Sequence, residues 1–218
     1  AVPMRGSRSR DALRRAATDL LDQRDAWSIS ITDVVREAKV TRPTFYQAFD
    51  GLSDLFTAAA LGRLEAAFDR IDLELAPAQE NVQEVMGGAF TIVVRALAEH
   101  EAFYLRVVNG PGGNAVVTAV TDAVSGRLKA ASPVVALLED GVMPADSARS
   151  ALAAGAVWLI IDWLASPSPA RPPIETIASR ARDFVYGCVV GGLASVSPPS
   201  TLVPGVDHSL PTETEPLR

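Results

Sequence analysis

Three short stretches of helical periodicity crowd into residues 10–49, and the last of them opens Thr41-Arg42-Pro43. This opening restricts the local fold more than any other feature of the chain. A proline inside a helix removes a hydrogen bond and clashes with the preceding turn. In the first turn the N–H groups have no intrahelical partner, so nothing is lost there. With Thr41 as N-cap, Arg42 is the first helical position and Pro43 the second. Pro43 therefore starts a helix. Phe45 and Phe49, four residues apart, pack inward, which leaves Arg42, Thr44, Tyr46 and Gln47 for the other faces.

The stretches before it fit the same scale. Leu13, Ala16, Ala17, Leu20 and Leu21 form one apolar stripe, with Arg10, Arg14 and Arg15 off it, so a first helix runs from Asp11 to near Arg24. After the connector DAWSIS, Ser30 or Thr32 caps a two-turn second helix that turns Val34, Val35 and Ala38 inward. Lys39 and Val40 make a tight turn into the third helix. Two short helices joined this way form a helix-turn-helix pattern.

A long fourth helix follows from Asp50 or Gly51 and ends at Pro77. Helical periodicity continues over roughly 80–98, 100–109, 113–131, 145–165 and 173–196, with Gly- and Pro-rich breaks between. The expected fold is all-α, with about nine helices. Its expected parts are a disordered basic arm at 1–9, a three-helix domain at 10–50, a larger helical domain at 51–196 and a disordered Pro/Ser/Thr/Glu-rich tail at 197–218.

Charge is divided unevenly. Residues 1–48 carry nine Lys or Arg against six Asp or Glu, a net of +3, and the remaining residues sum to −9. A basic end on an acidic body suits a protein that meets a polyanion at that end alone. The single cysteine, Cys188, excludes a disulfide framework and a zinc ribbon, and fits a reducing, cytoplasmic setting. The N-terminus lacks a signal-peptide pattern. The longest apolar run, 151–165, is shorter than the roughly 20 residues of a membrane span and contains Asp162, so it reads as a buried or dimer-facing helix.

An enzyme is not expected. The two histidines are His100 and His208, the latter in the tail, and no catalytic triad order, metal-ligand spacing or phosphate loop after a strand is present. No catalytic residue, metal or cofactor is assigned. The chemistry instead lies in the helix-turn-helix. Arg42 has the fork geometry to read guanine in the major groove. Thr41, Thr44, Tyr46 and, at the start of the second helix, Thr32 offer hydroxyls to phosphate. With Lys39, Pro43 and Gln47 they form the candidate interface for double-stranded DNA.

From Leu13 into the start of the fourth helix, the segments LRRAATDLLDQ, SITDVVREAKVTRPTFYQAF and SDLF resemble the TetR family of bacterial transcriptional regulators. In that family the second helix leads to Ala-Gly-Val-Ser, and the third carries a Leu-Tyr or Phe-Tyr pair ahead of a Phe. Two positions depart. Lys39 stands where the family usually has glycine, and Leu52 where it often has lysine.

The resemblance implies a homodimer built from the last two helices, about 145–165 and 173–196, and a repressor released from its operator by a small molecule held in the larger domain. Those helices are rich in Ala, Gly and Val, which suits either a four-helix dimer contact or tight packing within the chain. The expected pocket residues are Met86, Phe90, Phe103, Tyr104, Val107, Trp158, Asp162 and Trp163, so the effector would be hydrophobic or aromatic. Asp162 can face solvent, pair with an arginine across a dimer, or meet a ligand cation, and the sequence leaves all three open. The competing reading is a helical ligand-binding or adaptor protein that has lost specific DNA binding.

Overall fold

In the computed structural model, residues 5–74, 82–130, 138 and 143–189 are described. They form nine α-helices with no strand among them: α1 (Arg5–Gln23), α2 (Ile31–Glu37), α3 (Arg42–Ala48), α4 (Leu52–Glu74), α5 (Val82–Glu99), α6 (Glu101–Val108), α7 (Gly113–Ala130), α8 (Ala145–Ala165) and α9 (Ile174–Cys188). The tail expected at 197–218, and the end of the helix expected to reach 196, lie outside the described residues.

Local signals set the first three helices. Ser30 caps α2 with a full capping box: its hydroxyl accepts from the Asp33 N–H, and the Asp33 carboxylate accepts from the Ser30 N–H at 3.0 Å. Thr41 caps α3 by accepting from the Thr44 N–H at 3.3 Å, and Pro43 sits in the first turn. Phe49 is not the last residue of α3. It is the extended C-cap, and its N–H donates to the Phe45 carbonyl at 2.9 Å.

The arm expected at 1–9 is helical from Arg5 onward. Gly6, Ser7 and Ser9 are poor helix formers, but extending a helix already anchored by Leu13 and Leu21 costs far less than nucleating one.

The Asp33 carboxyl is held down at about 2, from 3.8, chiefly by its bonds to Ser30 and secondarily by Arg24. A depressed carboxyl stabilises the fold above its unfolded pKa, and that contribution is lost as pH falls through the folded one. The thermal midpoint of Asp33→Asn is therefore expected to lie below that of the parent chain at neutral pH, and the gap to close as both are titrated from pH 4 toward pH 2. A gap unchanged at pH 2 would show that the carboxylate charge is not what matters.

α4 is the shared element. It packs on α1 on one side and on α5, α6 and α7 on the other. At 23 residues it spans about 34 Å. The main core accordingly runs without a break through the boundary expected at 50–51, from Leu13, Val34 and Phe45 through Leu55 and Phe56 to Val94, Phe103 and Trp163. A second cluster gathers Leu138, Leu152, Ala156 and Val185, with Phe90 packed against both.

α8 is the described helix long and apolar enough to cross a membrane, yet half of its apolar stretch is buried inside the chain. Its small residues serve intrachain packing here. A Cβ on Gly155 would stand 2.5 Å from the Phe184 ring of α9, so a larger residue there would have to displace that ring.

Candidate nucleic-acid interface and interior cavity

Phe45 is fully buried and fixes the rotation of α3. Its ring meets Tyr46 edge-on at 5.4 Å and Phe49 at 6.2 Å. With that face inward, Thr41, Arg42, Pro43, Tyr46 and Gln47 are exposed and Thr44 is half-buried. Tyr46 is 58% exposed, unusual for an aromatic side chain.

Thr32 lies within reach of the same surface, because the Arg42 guanidinium donates to its hydroxyl at 3.0 Å. The starts of α2 and α3 thus meet through this bond, and both present hydroxyls suited to phosphate.

Arg10 was not singled out from the sequence. It donates to the Ala48 carbonyl and lies 4.3 Å over the Phe49 ring, so it ties the C-terminal end of α3 to α1.

Lys39 sits in the left-handed region, with φ of 55°. The turn expected of a glycine is kept despite the side chain. Lys39→Gly is expected to raise stability by a few tenths to about 1 kcal/mol, relief of that strain less the extra freedom of the unfolded glycine. Affinity for DNA is expected to move the other way, because an exposed cation beside α3 is lost. Denaturant unfolding and a binding titration on the one variant check both. Leu52 is half-buried and packs on the core at the start of α4.

A joint connects this head to the body. Arg106 of α6 donates to the carbonyls of Leu21 and Asp22, both at 2.7 Å, and so caps the C-terminal end of α1. The exposed Trp27 donates through its indole Nε1 to the Asn109 carbonyl at 2.9 Å. Gly110 makes the approach possible, since a Cβ there would stand 2.6 Å from the Ala26 methyl. Neither Trp27 nor Arg106 was marked by its sequence context.

Behind α6 lies an interior cavity bounded by α4, α5, α6, α7 and α8. Its volume is about 70 Å³. Of the residues expected to line a pocket, Tyr104 is on its wall. Phe103 and Val107 are buried in the core, Phe103 beneath the Arg63 guanidinium at 4.1 Å. Met86 and Phe90 pack on the second cluster. Trp163 is buried, with its Nε1 donating to the Pro172 carbonyl at 2.8 Å. Trp158 and Asp162 are exposed.

The wall is aliphatic instead, and α7 supplies Val116, Val117, Val120 and Val124. Their helical spacing was a usable signal, but branched aliphatics at that spacing look the same whether they fill a core or line a gap. Among the described residues no three His, Cys, Asp or Glu gather at metal-binding range.

Neither a protein-family model nor a characterised relative matches the sequence. Solved structures match in fold. One assigned to the TetR family of transcriptional regulators, from Syntrophomonas wolfei, superposes with a TM-score of 0.58 at 14% identity, over 85% of this chain and 96% of its own. A TetR-family transcriptional regulator from Streptomyces coelicolor gives 0.55 at 20% identity, over 84% and 82%. The TetR family repressor AlkX from Dietzia, implicated in biodegradation of n-alkanes, gives 0.57 at 16% identity, over 83% and 94%. The fold is that of the TetR regulators.

Proposed function

We propose that this chain is a TetR-family transcriptional regulator: a homodimer that binds operator DNA through α3 and is released from it, as a repressor, by a hydrophobic small molecule in the interior cavity. The observation that carries the reading is the exposed N-terminal half of α3. Arg42 and Tyr46 project from a two-turn helix whose other side is locked by Phe45. Such a rigid, short helix with a guanidinium and hydroxyls at its start suits the major groove. The shared fold supports the same reading.

The dimer contact is assigned to α8 and α9. Ala151, Trp158, Asp162 and Ala165 share one exposed side of α8, an apolar strip interrupted by a carboxylate. Trp158 is 59% exposed, and a second copy of the chain would cover it.

Control by ligand is supported by α6. One side of it, with Tyr104, Leu105 and Val108, faces the cavity, while Arg106 grips the end of α1. A ligand that displaces α6 therefore changes the seat of the DNA-binding head. The protein acts in the cytoplasm, where its DNA is, and no catalysis is assigned to it.

The test is selection of bound duplexes from random DNA with the full chain. An enriched two-fold-symmetric sequence is expected, bound as a dimer. Failure to enrich any sequence, from protein that is folded and dimeric, would favour instead a helical binding protein without operator recognition. The core packing of Leu52, where the family often offers lysine, is the feature on that side.

A further inference from the structure

Thr32 and Arg42 stand ten residues apart on different helices, and the Arg42 guanidinium donates to the Thr32 hydroxyl at 3.0 Å. Both side chains are exposed. An exposed arginine ordinarily samples many rotamers, and fixing it against a partner costs free energy at the moment of binding. A guanidinium is planar, with its N–H groups in a rigid fork, so a bond that holds one of them also limits the swing of the rest.

The holder is itself held. Thr32 lies in the first turn of α2, between the cap residue Ser30 and its box partner Asp33. Thr18, Thr57, Thr91, Thr118 and Thr121 turn their hydroxyls back on the carbonyl four residues earlier. The Thr32 hydroxyl instead accepts from Arg42. The two helices joined by this bond are fixed to each other. Val34 and Phe45 are fully buried, and the turn between them closes through the Val40 N–H on the Val35 carbonyl at 3.0 Å.

The bond also leaves the arginine its charge. Asp33, next to Thr32, is taken by Ser30, Arg24 and Arg36. Arg42 has no carboxylate partner among the described residues. A carboxylate would hold the guanidinium more strongly, but would compete with any acceptor on DNA. A neutral hydroxyl orients it without that competition. The other hydroxyls at the start of α3, those of Thr41 and Thr44, lie 2.9 Å apart and bond each other.

We propose that Thr32 is a positioning residue: it holds the Arg42 guanidinium in place to read one base of each half-site, and does not itself anchor a phosphate. The proposal deepens the DNA-binding reading given above and rests on it.

The experiment measures affinity of the full-length protein for the operator enriched from random DNA, for single-base variants of that operator, and for both across a range of salt. The proteins are the parent, Thr32→Val, Thr32→Ser, Arg42→Ala and the double variant Thr32→Val with Arg42→Ala. Valine keeps the shape and the branched Cβ of threonine and removes only the hydroxyl. Thr32→Val is expected to weaken the selected operator by between about fivefold and about 150-fold, the cost of ordering two freed arginines in a dimer. Preference at one base pair per half-site should relax. The salt slope should stay as it is, because no charge is removed. Thr32→Ser should restore both affinity and preference. In the Arg42→Ala chain, Thr32→Val should cost nothing more, because the two residues act as one unit.

Equal weakening on every sequence, persisting in the absence of the Arg42 side chain, would make Thr32 a phosphate contact and overturn the proposal. So would a base preference untouched by Thr32→Val, or a serine that does not rescue it. The two readings fail distinguishably. An operator selected by the parent and read just as sharply by Thr32→Val sinks the positioning role alone. A parent that selects no sequence sinks the regulator reading, and the positioning role with it.

Discussion

Replacing Phe45 by alanine is expected to remove about 3–5 kcal/mol of stability, the usual cost of emptying a fully enclosed phenylalanine site. Phe45 has no exposed surface, and the rings of Tyr46 and Phe49 rest against it. α3 is only seven residues long, too short to hold its shape without tertiary contacts. Because the main core is continuous from α1 through α4 into the body, the loss is expected across the whole thermal transition. For a chain of this size that means a midpoint lower by roughly 6–20 °C. Calorimetry on the parent and Phe45→Ala proteins measures it. An unmoved main transition, with DNA binding alone lost, would mean that the head melts independently and that α4 does not couple it to the body.

Arg42→Ala should leave stability within about 0.5 kcal/mol, because the side chain is exposed and loses a single bond to Thr32. Its effect on DNA is expected to be large. A bidentate arginine–guanine contact is worth about 1–3 kcal/mol, and a dimer on a two-fold operator makes it twice. Affinity for the selected operator should then fall by about 2–6 kcal/mol, at least thirtyfold.

Salt separates a base contact from a phosphate contact. Lys39 is an exposed cation beside the recognition surface, two in a dimer, and Arg42 adds two more only if it holds phosphate, so log affinity against log salt should slope at about −2 in the first case and about −4 in the second. If Arg42 reads a base, its removal relaxes sequence preference at one position per half-site and changes the slope little. If it holds phosphate, the slope shrinks by about 2 and all sequences weaken alike. A parent slope typical of ten phosphate contacts would contradict the assignment of these cations. Together the two variants separate the function of α3 from its folding, one by emptying its anchor and the other by altering its exposed face.

Tertiary structure corrected the interior more than the head. In the head, each start signal acts within one turn: the Ser30 and Thr41 caps bond three residues ahead, and Pro43 needs only the free N–H groups of its own first turn. Such contacts follow from sequence spacing alone. The αL conformation of Lys39 was legible too, as the position where a turn residue had to be, although nothing local favours a lysine there. The contacts of Arg10 and Arg106 were not legible. Each reaches a carbonyl on another helix, and an exposed arginine has the same appearance in sequence with or without such a partner.

By itself, the sequence determined that the chain is helical, where the third helix starts, and which side of α3 is turned outward. Only the tertiary structure decided which apolar residues fill space and which surround it. Phe103 and Trp163 carry the marks of pocket residues and are buried in the core. Val116, Val120 and Val124 carry the marks of core residues and border a cavity. The hydrophobic effect drives both sets out of water equally. Whether a side chain then meets an atom or a gap depends on how five helices fit against one another, and no periodicity within a single helix records that fit.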